Sequence, residues 1–115
     1  MKNTVTIKEN RIFRIIYKKG RSSVTPFLVV YCRRNGRQHN RLGVTVSTKL
    51  GGAVVRNRAR RRLREVFRLA QPDMKQGYDI ILVARGRTAN GPYRKLTAAF
   101  YKACGRLGLL KEVLP

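Results

Sequence analysis

Residues 56–70 read RNRARRRLREVFRLA, and their pattern fixes the architecture around them. At about 100° per residue, Ala59, Leu63, Val66, Phe67 and Ala70 fall on one narrow face of a helix. Asn57, Arg61, Arg64 and Arg68 lie diametrically opposite, flanked by Arg58, Arg60 and Arg62, with Arg56 opening the run. A merely solvated helix mixes charge signs to gain i,i+4 pairs. This one stacks like charges, with Glu65 as its only internal counter-charge. Arginine in place of lysine also suits planar, bidentate recognition of phosphate. The segment is therefore expected to be a helix with one face in a core and the other on an anionic partner.

Working outward, Gly51-Gly52 precede the helix. They read either as a flexible turn or as a close backbone approach to a phosphate near a helix N-terminus. Upstream, residues 10–19 predict a helix with Asn10 as N-cap, Gly20 as its stop, Ile12, Ile15 and Ile16 on one face, and Phe13 and Tyr17 beside them. Residues 27–32 predict a strand apolar on both faces, with Phe27, Val29 and Tyr31 on one side and Leu28, Val30 and Cys32 on the other. Residues 33–40 read as a hairpin loop around Asn35-Gly36, and residues 41–47 return as a second strand through Leu42, Val44 and Val46. Downstream, residues 77–85 predict a buried strand. Asn90-Gly91-Pro92 opens a last helix, whose stripe Tyr93, Leu96, Phe100, Ala103 and Leu107 is apolar and which Gly108 can end. Strands and helices at this size point to a two-layer α/β sandwich. Phe13, Tyr17, Phe27 and Tyr31 read either as core or as an open aromatic sheet face rimmed by cations, which would make a single-strand groove.

The chain of 115 residues is expected to form one domain over residues 1–115, and 43% hydrophobic residues suffice for a modest core. Lys and Arg number 27 against 5 Asp and Glu, a net charge of +22. Self-repulsion of that size is relieved by a polyanion. The carboxylates are Glu9, Glu65, Asp73, Asp79 and Glu112, and the single histidine is His39, so a protein-borne metal site or acid–base pair has little to draw on. Cys32 and Cys104 follow no zinc spacing; buried free thiols fit their apolar neighbours better than a disulfide. No apolar run approaches the roughly 18 residues of a membrane span. The N-terminal residues lack a signal-peptide stretch, and an amphipathic surface anchor is missing. A cytoplasmic protein without a membrane partner is expected.

The arginine block 56–68 resembles the arginine-rich signature of the bacterial ribonuclease P protein subunit. Residues 41–54 (RLGVTVSTKLGGAV) resemble the strand and loop that precede it in that family, Phe13, Tyr17 and Lys18-Lys19-Gly20 its first helix, and residues 78–85 its later strand. The resemblance spans roughly residues 7–107. It implies an α/β sandwich in the order helix, three strands, helix, strand, helix, with a left-handed crossover through the arginine-rich helix, against the right-handed rule for parallel crossovers. It implies removal of the 5′ leader from precursor tRNA within a ribonucleoprotein whose RNA subunit performs the chemistry with divalent ions, Mg²⁺ held mainly by that RNA. No organic cofactor, no obligate protein partner, no catalytic residue and no metal ligand of this chain are implied. Carried over residue by residue, Arg56, Asn57, Arg58, Arg60, Arg61, Arg62, Arg64 and Arg68 would bind the RNA subunit. Phe13, Tyr17, Tyr31 and Lys49 would hold the precursor-tRNA leader. Thr48 and Gly52 depart from the family's usual lysine and asparagine, each removing one polar contact.

Two other classes fit a small basic chain. A structural ribosomal protein would carry long basic tails, whereas this chain ends LLKEVLP. A protein-only ribonuclease would rest on His39 with a lysine, yet His39 falls in the polar loop 36–40, where a solvated histidine is expected.

Overall fold

The computed structural model describes residues 4–112. The N-terminal three residues, on which part of the signal-peptide reading falls, and Val113, Leu114 and Pro115 lie outside the described residues. A five-stranded sheet runs β1(Thr4–Thr6), β4(Asn40–Thr45), β5(Tyr78–Ala84), β3(Leu28–Arg34), β2(Arg21–Val24) in spatial order. Four helices accompany it: α1(Asn10–Lys19), α2(Ala53–Ala70), α3(Gly86–Asn90) and α4(Tyr93–Arg106). The helix, three strands, helix, strand, helix order is present as α1, β2 to β4, α2, β5 and α4, with β1 and α3 added.

The hairpin expected between residues 27–32 and 41–47 does not form. β5 lies between those strands, antiparallel to β3 and parallel to β4, and α2 carries the crossover from β4 to β5. The turn signal at Asn35 is real but serves another pairing. Asn35 donates its side-chain amide to the His39 carbonyl and to Asp79, and its backbone N–H donates to the Gly77 carbonyl.

One sheet face carries Leu28, Val30, Cys32, Leu42, Ile80 and Leu82 against α2 and α4, which is the sandwich core. From α2 it receives Ala59, Leu63, Val66, Phe67 and Ala70, the five residues placed there by periodicity, and Phe67 meets Phe100 of α4 edge-on. The opposite face bears Tyr31, Ile81 and Val83 and, among the described residues, packs against Ile12, Phe13 and Ile16 of α1 and against Ile7. Ile15, expected on that buried face, is exposed. Glu9 rather than Asn10 is the N-cap of α1, without a side-chain capping bond. Gly20 ends α1 where a Cβ would come 2.5 Å from the Ile16 carbonyl and 2.7 Å from that of Cys32. Pro92 caps α4, and Gly108, at φ +71°, closes it by letting the Leu109 N–H reach back to Cys104.

Phe27 corrects the expected alternation. It precedes β3, inside a turn whose Thr25 hydroxyl accepts from the N–H groups of Phe27 and Leu28, and it packs with the α4 side of the sheet rather than beside Tyr31.

Two buried polar links set the β4–β5 register. Arg41 donates to Asp79 from Nε and Nη2, each at 2.6 Å, with side-chain exposures of 18% and 8%. The fully buried Asn40 side chain accepts from the Tyr78 N–H and donates to the Lys75 carbonyl. Both cysteines are free and buried. Burial pushes the Cys104 thiol up to about 12, and burial raises that of Cys32 against the lowering effect of Arg21.

Asp79→Asn leaves the Arg41 charge largely buried without its counter-charge. It is expected to cost about 3 kcal/mol, read as a lower urea midpoint at unchanged m-value; an unaltered midpoint would show the pair to be dispensable. The thiols give a second test. Native protein should be silent to Ellman's reagent near neutral pH, and unfolded protein should release both thiols. Because the folded pKa lies above the unfolded one, the contribution is intact below pH about 8.5. It is lost as pH rises toward the Cys104 value of about 12. Rapid native reaction would contradict the burial.

Candidate nucleic-acid interface

The arginine row occupies the solvent side of α2, enforced by the burial of its opposite side. Asn57, Arg58, Arg61, Arg64 and Arg68 are exposed, and Arg56, Arg60 and Arg62 are half-buried. Asn57, Arg60, Arg61, Arg64, Glu65 and Arg68 line a shallow groove of about 530 Å³ along the helix. Within it Arg60 donates to the Asn57 side-chain oxygen at 3.0 Å, which orders the start of the row. Arg68 grips Glu65 in a bidentate pair at 2.5 and 3.1 Å. That hydrogen bond holds the Glu65 carboxyl below its ordinary range and raises Arg68. The ion pairs among the described residues are Arg68–Glu65, Arg41–Asp79 and Arg11–Glu9, so Arg58, Arg61 and Arg64 present their charges without a carboxylate.

Arg62 leaves the row. Its guanidinium donates to the Gly91 carbonyl at 2.7 Å and the Thr88 carbonyl at 3.3 Å, and lies over the Tyr93 ring at 5.9 Å. It braces the α3–α4 turn. Nothing in a run of identical arginines signals that one of them turns inward. The half-buried Arg56 keeps its Nε without a hydrogen-bond partner.

On the other sheet face the structure brings Phe13, Tyr17 and Tyr31 together. Tyr17 stands between the other two, 4.8 Å edge-on to Tyr31 and 6.3 Å from Phe13. Its hydroxyl shares a hydrogen bond of 2.7 Å with Thr45 Oγ1, and the residue stays 38% exposed. Gly43 makes the cluster: a Cβ there would sit 2.6 Å from Phe13 Cζ. A glycine inside a strand signals such a close approach, and that signal was readable in the sequence, as the partnership of Thr45 was not. Lys49 stands exposed on a one-turn 3-10 helix, Thr48–Leu50, just beyond the end of β4. Ser47 caps that turn by accepting from the Lys49 N–H. Gly51 follows at φ +140°, a backbone state reserved for glycine, whereas Gly52 is the N-cap of α2 with open space around it. Phe27 lies apart from the aromatic cluster.

Among the described residues no group of three or more His, Cys, Asp or Glu side chains converges, and no helix is long and apolar enough to cross a membrane. The half-buried His39 sits in the 36–39 loop.

The chain is similar to known proteins over nearly its whole length. Residues 1–108 match the profile of the family described as Ribonuclease P. The ribonuclease P protein component of Natranaerobius thermophilus is 40% identical over 112 residues, covering 97% of each chain. That of Alkaliphilus oremlandii is 37% identical over 114 residues, covering 99% of this chain and 100% of the other. Among solved structures, the Staphylococcus aureus RNase P protein superposes with a TM-score of 0.82 at 34% identity, over 92% of this chain and 97% of that one. The Thermotoga maritima protein gives 0.76 at 29% identity, over 84% and 92%. Profile, length and fold agree, and the chain belongs to the ribonuclease P protein family, as a protein component of that tRNA-processing enzyme.

Proposed function

We propose that the two surfaces divide the work: α2 grips the RNA subunit of ribonuclease P, and the α1 face holds the 5′ leader of precursor tRNA. The observation that carries this reading is the unpaired row Arg58, Arg61 and Arg64, backed by a helix face wholly committed to the core. Guanidinium groups one turn apart match a line of phosphates, and Asn57 with Arg60 extends the row. Arg56 adds charge at its start, Arg68 shares its charge with Glu65, and Arg62 supports the row as a brace rather than as a contact. On the α1 face, Phe13, Tyr17 and Tyr31 offer ring edges and planes to unpaired bases, and Lys49 offers a cation to the leader backbone. The protein binds and orients, and the divalent-ion chemistry, with Mg²⁺, falls to the RNA. The setting is cytoplasmic.

Replacing Arg61, Arg64 and Arg58 together by Glu should leave the far-UV spectrum and melting intact and lower affinity for the RNA subunit by orders of magnitude. The salt slope should shrink by about one unit per lost phosphate contact. Arg62→Ala should do the reverse, lowering stability by about 1–3 kcal/mol through two orphaned carbonyls with a minor effect on the slope. Equal behaviour of Arg62 and Arg61 would collapse that division of roles.

Tyr17→Leu with Tyr31→Leu keeps apolar bulk and removes ring planes. Binding of the RNA subunit should stay near normal, while the assembled enzyme should bind precursor tRNA more weakly by about 1–3 kcal/mol per lost stack. Mature tRNA should lose little. Equal losses on both tRNAs would mean the rings are ordinary core; no loss on either would place the leader elsewhere.

A further inference from the structure

A second groove lies on the side of the sheet away from the aromatic cluster, between the β2–β3 turn and α4. Val24, Pro26, Phe27 and Ala98 form its apolar lining, and Lys102 and Arg106 stand along it in a cavity of about 320 Å³. Phe27 and Lys95 also line an adjoining cavity of about 530 Å³ that reaches Arg87 and Pro92. The two cavities share these residues, so Phe27 sits at the junction of one continuous track.

Neither cavity contains an acidic side chain, and no ion pair among the described residues engages Arg87, Lys95, Lys102 or Arg106. Lys95, Ala98, Lys102 and Arg106 recur at i, i+3, i+7 and i+11 of α4, all exposed. That spacing is a single stripe facing away from the buried Leu96, Phe100, Ala103 and Cys104. The floor is unusually open for its chemistry: Val24 is 58% exposed.

Hydrogen bonds and close packing tie down the wall of the groove at Phe27. Thr25 folds the turn beneath Phe27 by accepting from two N–H groups, and Arg85 donates to the Thr25 carbonyl. The Thr88 hydroxyl donates to the Phe27 carbonyl at 2.5 Å. Gly91 has no Cβ where one would meet the Phe27 ring at 2.6 Å, and Arg87 stands 5.9 Å from the ring centroid. An aromatic ring fixed beside a row of cations with an apolar floor is complementary to an unpaired nucleotide, base on the floor and phosphates on the stripe.

We propose that this groove is a further RNA-binding site, taking one unpaired nucleotide and its flanking phosphates, with Lys102 and Arg106 on the phosphates and Phe27, Pro26 and Ala98 under the base. The proposal rests on the reading of this protein as an RNA binder, and it concerns neither the α2 row nor the α1 face.

The test is an amide chemical-shift titration of the full-length labelled protein with a single-stranded pentauridylate, with inorganic phosphate and a leucine-containing polyglutamate peptide as parallel probes. The pentauridylate should move Val24, Ala98 and Ala99 saturably, and phosphate should not. Ala98→Glu, on an exposed position, should weaken those shifts at least about tenfold while leaving the α2 amides responsive. Lys102→Ala with Arg106→Ala should lower the salt slope of groove binding by about 1.4, two contacts at about 0.7 each for a single strand. Shifts confined to α2 would overturn the proposal. So would full reproduction of the groove pattern by phosphate alone, or tighter saturation by the peptide, which would mark a protein-docking surface. A response at the groove with none at Arg61 and Arg64 would instead sink the α2 reading and leave this one standing.

Discussion

Arg41 and Asp79 face each other across β4 and β5, and their bidentate bond holds the register on which both sides of the sheet depend. With Arg41 opposite Asp79, Gly43 falls opposite Ile81 and Thr45 opposite Val83. Gly43 is then the gap that Phe13 fills, and Thr45 is the partner of the Tyr17 hydroxyl. A slip of one residue would exchange the faces of β4, presenting Leu42 and Val44 to α1 and Gly43 to α2. The aromatic cluster would lose its floor and the arginine helix its backing. Asn40, bonded to the β5 N-terminus, guards the same register from the other face.

The scarcity of carboxylates explains how the cationic surfaces stay available. Asp79 is committed to Arg41, Glu65 to Arg68 and Glu9 to Arg11, while Asp73 accepts from the Tyr101 hydroxyl. That acceptor pushes the Tyr101 phenol up to about 12. Glu65 lines the α2 groove but is held by Arg68, and none of these acids lines the two cavities beside α4 that meet at Phe27. Each of these four acids has a local structural task, and arginines such as Arg58, Arg61 and Arg64 are left to the solvent or to a polyanion.

Chemical contrast at helical period made α2 and α4 legible: arginines against Leu63 and Phe67, or lysines against Leu96 and Phe100, admit one rotation of each helix. The three rings of the α1 cluster were also within reach, because the i,i+4 pair Phe13–Tyr17 must face whatever α1 covers. Sheet order was not, since nothing local to residues 28–45 announces that β5 will enter between them. The Thr4–Thr6 strand is short and polar and owes its existence to β4. Phe27 was misplaced because strand alternation was extended across a turn that Thr25 stops. The brace at Arg62 and the α4 groove needed coordinates, as both join segments distant in sequence.

The central strand is also the last strand to be synthesised. Until Ala84 has left the ribosome, β3 has only β2 beside it and β4 only β1, each with an open apolar edge. At roughly 5–20 residues per second the delay from Thr45 to Ala84 is a matter of seconds, long enough for exposed edges of neighbouring nascent chains to meet. Residues 1–84 already carry 20 Lys and Arg against 4 Asp and Glu, a net +16, and such chains resist these encounters by mutual repulsion. The basicity that would suit the finished protein to a polyanion thus also keeps unfinished copies apart while the sheet waits for its middle.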